Sequence, residues 1–224
     1  MAKKAVCLIS GGLDSAVTAF IAKKQNYEIY ALSFVYGQRH DKEIDCAKKI
    51  AKELSAKKHV IFEIDICQFG GSSLVDKSIE PELDHDIKDI GKEIPNTYVP
   101  ARNTVFLSVA LGFAETIDAD AIFIGATATD YSGYPDCRPE YFEAFQKMVD
   151  LATKKTVEGK KIKILTPVLK LSKAEIIKRG SELYVPFEKT WSCYLGGEKP
   201  CGRCDSCLLR AKGFKENGLD DPLL

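Results

Sequence analysis

Three short apolar runs alternate with two helical patterns at the start of the chain, and this alternation restricts the fold more than any other feature. Residues 4–9 (KAVCLI), 28–35 (EIYALSFV) and 59–64 (HVIFEI) are rich in β-branched and aromatic side chains and read as buried strands. Between them, residues 14–24 carry Ala16, Val17, Phe20 and Ile21 at helical spacing. Residues 41–54 put Ile44, Ala47, Ile50, Ala51 and Leu54 on one helix face. Strand–helix–strand units at this pitch predict a parallel sheet with helices packed on both faces. The rhythm resumes later, with helices expected over 103–117, 139–153 and 173–183 and strands over 121–125 and 162–166. Residues 65–97 interrupt it. They hold Gly70, Gly71, Pro81, Gly91 and Pro95, and an irregular segment of that length is often a lid or a binding loop.

The whole chain has 224 residues, which suits one large domain or one domain with an appendage. Basic and acidic residues balance at 32 each, so there is no excess positive charge to grip a phosphate backbone. The N-terminal MAKK precedes no apolar stretch of signal-peptide length, and no run is long enough to cross a membrane. The expectation is a soluble, cytoplasmic protein that binds neither membrane nor nucleic acid directly. Of the eight cysteines, Cys7, Cys46, Cys67 and Cys137 are scattered. Cys193, Cys201, Cys204 and Cys207 crowd together, which in a cytosolic chain points to metal or redox chemistry rather than disulfides.

The first strand ends in LISGGLDSAV. Glycines let backbone N–H groups converge, and the helix behind them has a partially positive N-terminus, so the turn can bind an anion. Ser10 and Ser15 can add donors. Asp14 beside a phosphate makes sense as a helix cap or as a ligand for Mg²⁺; a plain glycine turn with an Asp or Ser N-cap is the simpler reading. The stretch lacks the lysine of a P-loop and is not G-x-G-x-x-G. SGGLDS resembles the pyrophosphate loop, SGGxDS, of the ATP pyrophosphatases, which adenylate a carboxyl, amide or carbonyl oxygen and release pyrophosphate.

Three further segments carry candidate ligand groups, and two of them, 33–43 and 125–142, leave strands at the same sheet edge. SFVYGQRHDKE, 33–43, presents Gln38, Arg39 and His40. YVPARNTVF, 98–106, sets Arg102 and Asn103 ahead of a helix, where Asn103 would serve as N-cap and Arg102 could pair with a carboxylate or phosphate. GATATDYSGYPDCRPEYF, 125–142, mixes Asp130, Tyr131, Ser132, Tyr134, Asp136, Cys137 and Arg138. Its aromatic faces can stack on a heterocycle and its carboxylates can pair with a guanine-like N–H edge.

In order, GQRH, VPARN, DYSGYPDCRPE, TPVLKLSKAEI and TWSCY followed by CGRCDSC resemble the 7-cyano-7-deazaguanine synthases over nearly the whole chain. Ile9 stands where that family usually has Phe before SGG, and Val35 fills a variable position; neither change touches a polar function. The resemblance implies an α/β, doubly wound parallel sheet of the adenine-nucleotide alpha-hydrolase-like, PP-loop ATPase kind over 1–189. A four-cysteine zinc-binding segment over 190–224 would follow it. It implies that 7-carboxy-7-deazaguanine, ammonia and ATP with Mg²⁺ give the nitrile precursor of queuosine or archaeosine, and that the enzyme is a homodimer. ATP would lie along Ile9, Ser10, Gly11, Gly12, Leu13, Asp14, Ser15, Ala16, Val17, Thr18 and Ala19. Asp14, Arg102 and Lys173 are the catalytic candidates. Gln38, Arg39, His40, Arg102, Asn103, Asp130, Tyr131, Ser132, Tyr134, Asp136 and Arg138 are the substrate candidates. Cys137 is expected not to be a nucleophile, since adenylation already activates the carbon.

The spacing Cys193-x7-Cys201-x2-Cys204-x2-Cys207 can wrap four thiolates around one tetrahedral ion. Four sulfurs close the coordination sphere, so one structural zinc per chain is the favoured reading. An iron–sulfur cluster or redox thiols are the alternatives. Two other functions compete with the synthase: a tRNA thiolase or amidotransferase synthetase with the same loop, and a zinc module that binds nucleic acid. Net neutrality weighs against the first, and SGGLDS is unexplained by the second.

Overall fold

The computed structural model describes residues 2–128 and 133–224. Five strands form one parallel sheet: β1 (Lys4–Leu8), β2 (Glu28–Val35), β3 (Lys58–Glu63), β4 (Ala121–Phe123) and β5 (Lys163–Leu165), in the order β3-β2-β1-β4-β5. Register is set by Lys4 opposite Glu28 and Leu8 opposite Leu32 on one side of β1, and by Ala5 opposite Ala121 on the other. Strand order reverses between β1 and β4. At such a switch point the crossovers leave to opposite faces and open a crevice at the carboxyl edge.

Alternation along β1 feeds two cores. Ala5, Cys7 and Ile9 point to the face covered by α1 (Leu13–Lys24), α2 (Lys42–Glu53), α6 (Lys173–Glu182) and α7 (Asp205–Glu216). Val6 and Leu8 point to the face covered by α3 (Arg102–Thr116) and α4 (Pro139–Ala152). The helical spacing seen in 41–54 is used as expected: Ile44, Ala47, Ile50 and Ala51 of α2 are buried. Each large apolar side chain so buried contributes about 1.5–3 kcal/mol. On the other face Phe34 stacks on Phe106 with centroids 3.9 Å apart.

Element boundaries differ from the sequence expectations where side chains or turns intervene. β4 is three residues long, although Ile124 N still donates to Leu165 O at 3.1 Å. A four-residue helix, α5 (Lys154–Val157), follows α4 because Thr153 and Thr156 form a reciprocal cap. Asn103 does not cap α3. Ala101 does so in a left-handed conformation, φ 53°, and Asn103 lies inside the first turn. Neither Asp14 nor Ser15 caps α1; the N-cap is Gly12, with no side-chain bond.

The long connector 65–97 carries one 3₁₀ turn, Cys67–Phe69, and is held by backbone bonds, such as Ser73 N to Asn96 O at 2.8 Å, and by side chains. Arg39 Nε donates to Ser73 O at 2.6 Å and its Nη2 donates to Asp76 O and Ile79 O. Ser73 Oγ donates to Asn96 Oδ1 at 2.9 Å, closing the connector on itself. At its far bend, Asp84 takes a two-pronged bond from Arg203, and His85 Nδ1 lies 2.9 Å from Asp205 Oδ1. The connector therefore straps the end of β2 to the cysteine segment.

Candidate active site

The crevice at the β1/β4 switch point is a cavity of about 250 Å³. Its floor is the glycine loop. Gly11 sits at φ +90°, and a Cβ there would fall 2.0 Å from Glu43 O, so α2 can approach only because residue 11 is glycine. Gly125 plays the same part across the crevice, where a Cβ would lie 2.8 Å from the Asp14 backbone. Within the loop the hydroxyls hold one another. Ser10 Oγ and Ser15 Oγ are 3.0 Å apart, Ser15 Oγ donates to Gly12 O at 2.9 Å, and Gly12 N donates to Ser10 Oγ at 3.2 Å. Trp191 N donates to Gly11 O at 2.9 Å, which fixes the cysteine segment against the loop.

Lys173 opens α6 and is buried rather than solvated. Its Nζ lies 2.6 and 2.7 Å from the two oxygens of Asp14. A Ser172–Glu175 capping box fixes the start of that helix. Lys173 and Asp14 thus form one charge-matched unit at the loop, holding a carboxylate that can bind a cation and an ammonium that can meet a phosphate.

Arg102, half-buried at the start of α3, also lines the cavity. It donates to Tyr36 Oη at 3.3 Å, and its guanidinium lies 5.8 Å from the Tyr36 ring and 6.0 Å from that of Phe106. Burial opposes its charge, but Tyr36, Tyr134, Cys137 and Asp136 favour it more strongly, so it stays protonated. Tyr134 bonds Thr97 Oγ1 at 2.9 Å and also pairs with Tyr194. Cys137 lines the cavity, and burial pushes its thiol up to about 12, so it is neutral at ordinary pH.

The sequence did not single out Glu43. It is the second residue of α2 and lines the cavity, near enough to Arg102 to feel its charge. Burial pushes its carboxyl up to about 7; Arg102 pulls the other way and Cys193 adds a smaller upward push. Among the described residues it has no hydrogen-bonding partner. In DKEIDCAKK it reads as an ordinary acidic first-turn residue. The close packing of α2 on Gly11 is what brings it to the cavity.

Other candidates divide between the cavity and the scaffold. Ile9, Ser10, Gly12, Leu13, Asp14 and Ser15 line the cavity, whereas Ala16, Val17 and Ala19 pack into the core under α1 and Thr18 is fully buried. Gln38 lines the cavity but folds back to accept from Tyr36 N at 2.8 Å. Arg39 also touches it, with its guanidinium committed to the strap. His40 Nε2 is 3.1 Å from Cys193 O, and its Nδ1 is buried with no partner among the described residues. Asn103 reaches Asp136 O at 3.1 Å and Cys137 Sγ at 3.3 Å. Asp136 and Arg138 do not line the cavity. Asp136 Oδ2 accepts from Asn103 N at 2.9 Å, completing the start of α3, and Arg138 is exposed and bonds Pro135 O. Asp130, Tyr131 and Ser132 lie outside the described residues. Trp191, Ser192, Tyr194, Ser206 and Arg210 are cavity residues the sequence did not mark.

Beside the cavity, the sulfurs of Cys193, Cys201, Cys204 and Cys207 all lie within 4.8 Å of one another. A tetrahedral ion with bonds of about 2.3 Å needs sulfurs about 3.8 Å apart, so the donor set can hold a metal ion. Backbone N–H groups of Arg203 and Cys204 point at Cys201 Sγ at 3.4 and 3.3 Å. No helix among the described residues is long and apolar enough to cross a membrane.

Comparison with known proteins is consistent along the chain. The family model described as "Queuosine biosynthesis protein QueC" matches residues 4–218. A protein from Trichodesmium erythraeum named 7-cyano-7-deazaguanine synthase is 52% identical over 99% of this chain and 100% of its own. Its namesake from Syntrophus aciditrophicus is 55% identical over 98% of this chain and 96% of its own. Among solved structures, the NMN synthetase of Francisella tularensis aligns with 98% of this chain and 79% of its own, at 17% identity and a TM-score of 0.49.

Proposed function

The chain belongs to the family of queuosine biosynthesis protein QueC, and from that premise we propose that it converts 7-carboxy-7-deazaguanine and ammonia to 7-cyano-7-deazaguanine with ATP. The observation that carries the reading is the juxtaposition, in one crevice, of a glycine loop with a charge-matched Asp14–Lys173 unit and an aromatic-walled end. The substrate carboxylate attacks the α-phosphorus of MgATP, and pyrophosphate leaves into the glycine loop. Ammonia attacks the acyl-adenylate, the bond to AMP breaks, and an amide results. A second ATP adenylates the amide oxygen; loss of AMP and a proton gives the nitrile. Both activations use the same phosphate cradle.

In this scheme Ser10, Gly11, Gly12 and Ser15 cradle phosphates, with Ile9 and Leu13 as their apolar support. Asp14 meets the Mg²⁺ that accompanies ATP, Lys173 meets the phosphates, and Arg102 meets substrate charge. Tyr134, with Gln38 and His40 at the rim, bounds the substrate; Arg39 and Asn103 support it by holding the strap and the start of α3. The four thiolates hold one zinc, which ties residues 190–224 to the 1–189 domain and leaves no coordination position for a reactant. The enzyme works as a cytoplasmic homodimer, and its product feeds queuosine or archaeosine.

Incubation with ATP, Mg²⁺, ammonium and 7-carboxy-7-deazaguanine, followed by mass spectrometry, tests the reading. Nitrile and a transient amide are expected, with AMP and pyrophosphate. An enzyme that makes neither nitrile nor amide would contradict it.

A further inference from the structure

Among the described residues two acidic side chains line the cavity, and they are partnered differently. Asp14 is matched by Lys173 at 2.6 Å. Glu43 has no hydrogen-bonding partner among the described residues, although it sits in a wall built from Tyr36, Phe106, Trp191 and Tyr194. A half-buried carboxylate on the cavity lining, with no protein donor to it, is open to donors that arrive with a ligand. Arg102 narrows which ligand that is. Its half-buried guanidinium is close enough to act on Glu43, so a second free cation is disfavoured there. A neutral flat ring with two adjacent N–H groups suits both the aromatic wall and the carboxylate.

We propose that Glu43 is the specificity residue for the deazaguanine ring, accepting hydrogen bonds from the ring N–H and the 2-amino group. This rests on the reaction assigned above and deepens it. The arrangement also explains a polarity. A carboxylate beside a guanidinium presents acceptors next to donors, which matches the N–H, NH₂ and carbonyl edge of a guanine-type ring. It mismatches the edge of adenine, which offers an amino donor beside a bare ring nitrogen. The same cavity can therefore admit both purine-like molecules and keep adenine at the glycine loop. Asp136, in the same loop as Tyr134, does not line the cavity and has its Oδ2 bonded to Asn103 N at the start of α3.

The test compares 7-carboxy-7-deazaguanine with its analogue lacking the 2-amino group. Sites built to bond a substrate N–H reject the analogue without it by about 10⁴-fold or more. Wild type should prefer the natural acid in kcat/KM by at least about 10³-fold. Glu43→Gln, which keeps one acceptor but adds a donor, should lower that preference to about tenfold or less through the KM of the acid, with the KM of ATP within about twofold. Glu43→Asp should recover part of the preference. Three results overturn the inference: wild type that does not discriminate, Glu43→Gln with wild-type discrimination, or Glu43→Gln that weakens ATP and both acids equally. Wild type that makes no nitrile from the natural acid would instead overturn the reaction and this inference together.

Discussion

The glycine loop and the cysteine loop are both turns that gather polar atoms around a point, yet they are completed differently. Around Gly11 and Gly12 the chain supplies its own partners: Ser10 with Ser15, Asp14 with Lys173, and Gly11 O with Trp191 N. The loop is therefore shaped before any ligand arrives, which is what an enzyme needs to stabilise departing pyrophosphate without reorganising. Around Cys193 the partners are four sulfurs and a few backbone N–H groups, with the Asp84–Arg203 and His85–Asp205 contacts of the strap outside them. Four soft anionic donors brought together repel unless a cation joins them. One loop is completed by the chain itself; the other offers four sulfur donors that could hold an ion.

The contrast breaks most visibly at the metal. Structural zinc contributes on the order of 10 kcal/mol to the fold around it. Cys204→Ser, or prolonged chelation, should leave residues beyond Trp191 open to proteolysis while the sheet persists, and metal analysis of the wild type should return about one zinc per chain. Retention of both zinc and thermal stability by the variant would remove the distinction between the loops.

Two glycine substitutions sharpen the other side. Valine at residue 11 must adopt φ +90° and displace Glu43 O, so Gly11→Val should lose more than about 3 kcal/mol of stability. Gly12 has φ −77° and nothing nearer than Ser10 Oγ, at 3.3 Å, to meet a Cβ. Gly12→Val should therefore melt near the wild-type temperature while AMP formation falls about 10³-fold, because the side chain fills the phosphate approach. Normal turnover by this variant would show that the loop is not a phosphate cradle.

Lys173→Met should lower kcat/KM for ATP by about 10²-fold, the usual cost of one charged donor at a developing anion, with secondary structure retained by circular dichroism. Cys137→Ser should have the smallest effect, within about threefold in kcat. With its pKa raised to about 12 by burial, the thiol is protonated throughout pH 6–9, so iodoacetamide at pH 8 should leave Cys137 unlabelled in the folded enzyme. A covalent substrate adduct at Cys137 would reverse that conclusion.

How far the sequence reaches follows from the range of the forces involved. Strands and helices of the first half, SGGLDS and the cysteine spacing were readable because each is written in residues close together in the chain. Asp136 and Arg138 looked like ligand groups from local density, but the start of α3 takes the Asp136 carboxylate and the start of α4 leaves Arg138 in solvent. Glu43 failed to stand out for the converse reason. Its neighbours Arg102 and Tyr36 belong to other elements, and only the packing of α2 on Gly11 unites them. Arg39 shows the same limit: its guanidinium organises carbonyls more than thirty residues away, which no local pattern announces.

In the proposed reaction one crevice activates the same carbon twice, adenylating first a carboxylate oxygen and then the amide oxygen. Substrate carrying ¹⁸O at both carboxylate oxygens measures this directly. The account predicts two AMP per nitrile, each with one ¹⁸O in its phosphate, and no label in pyrophosphate or water. A single AMP per nitrile, or ¹⁸O released as water or inorganic phosphate, would contradict it.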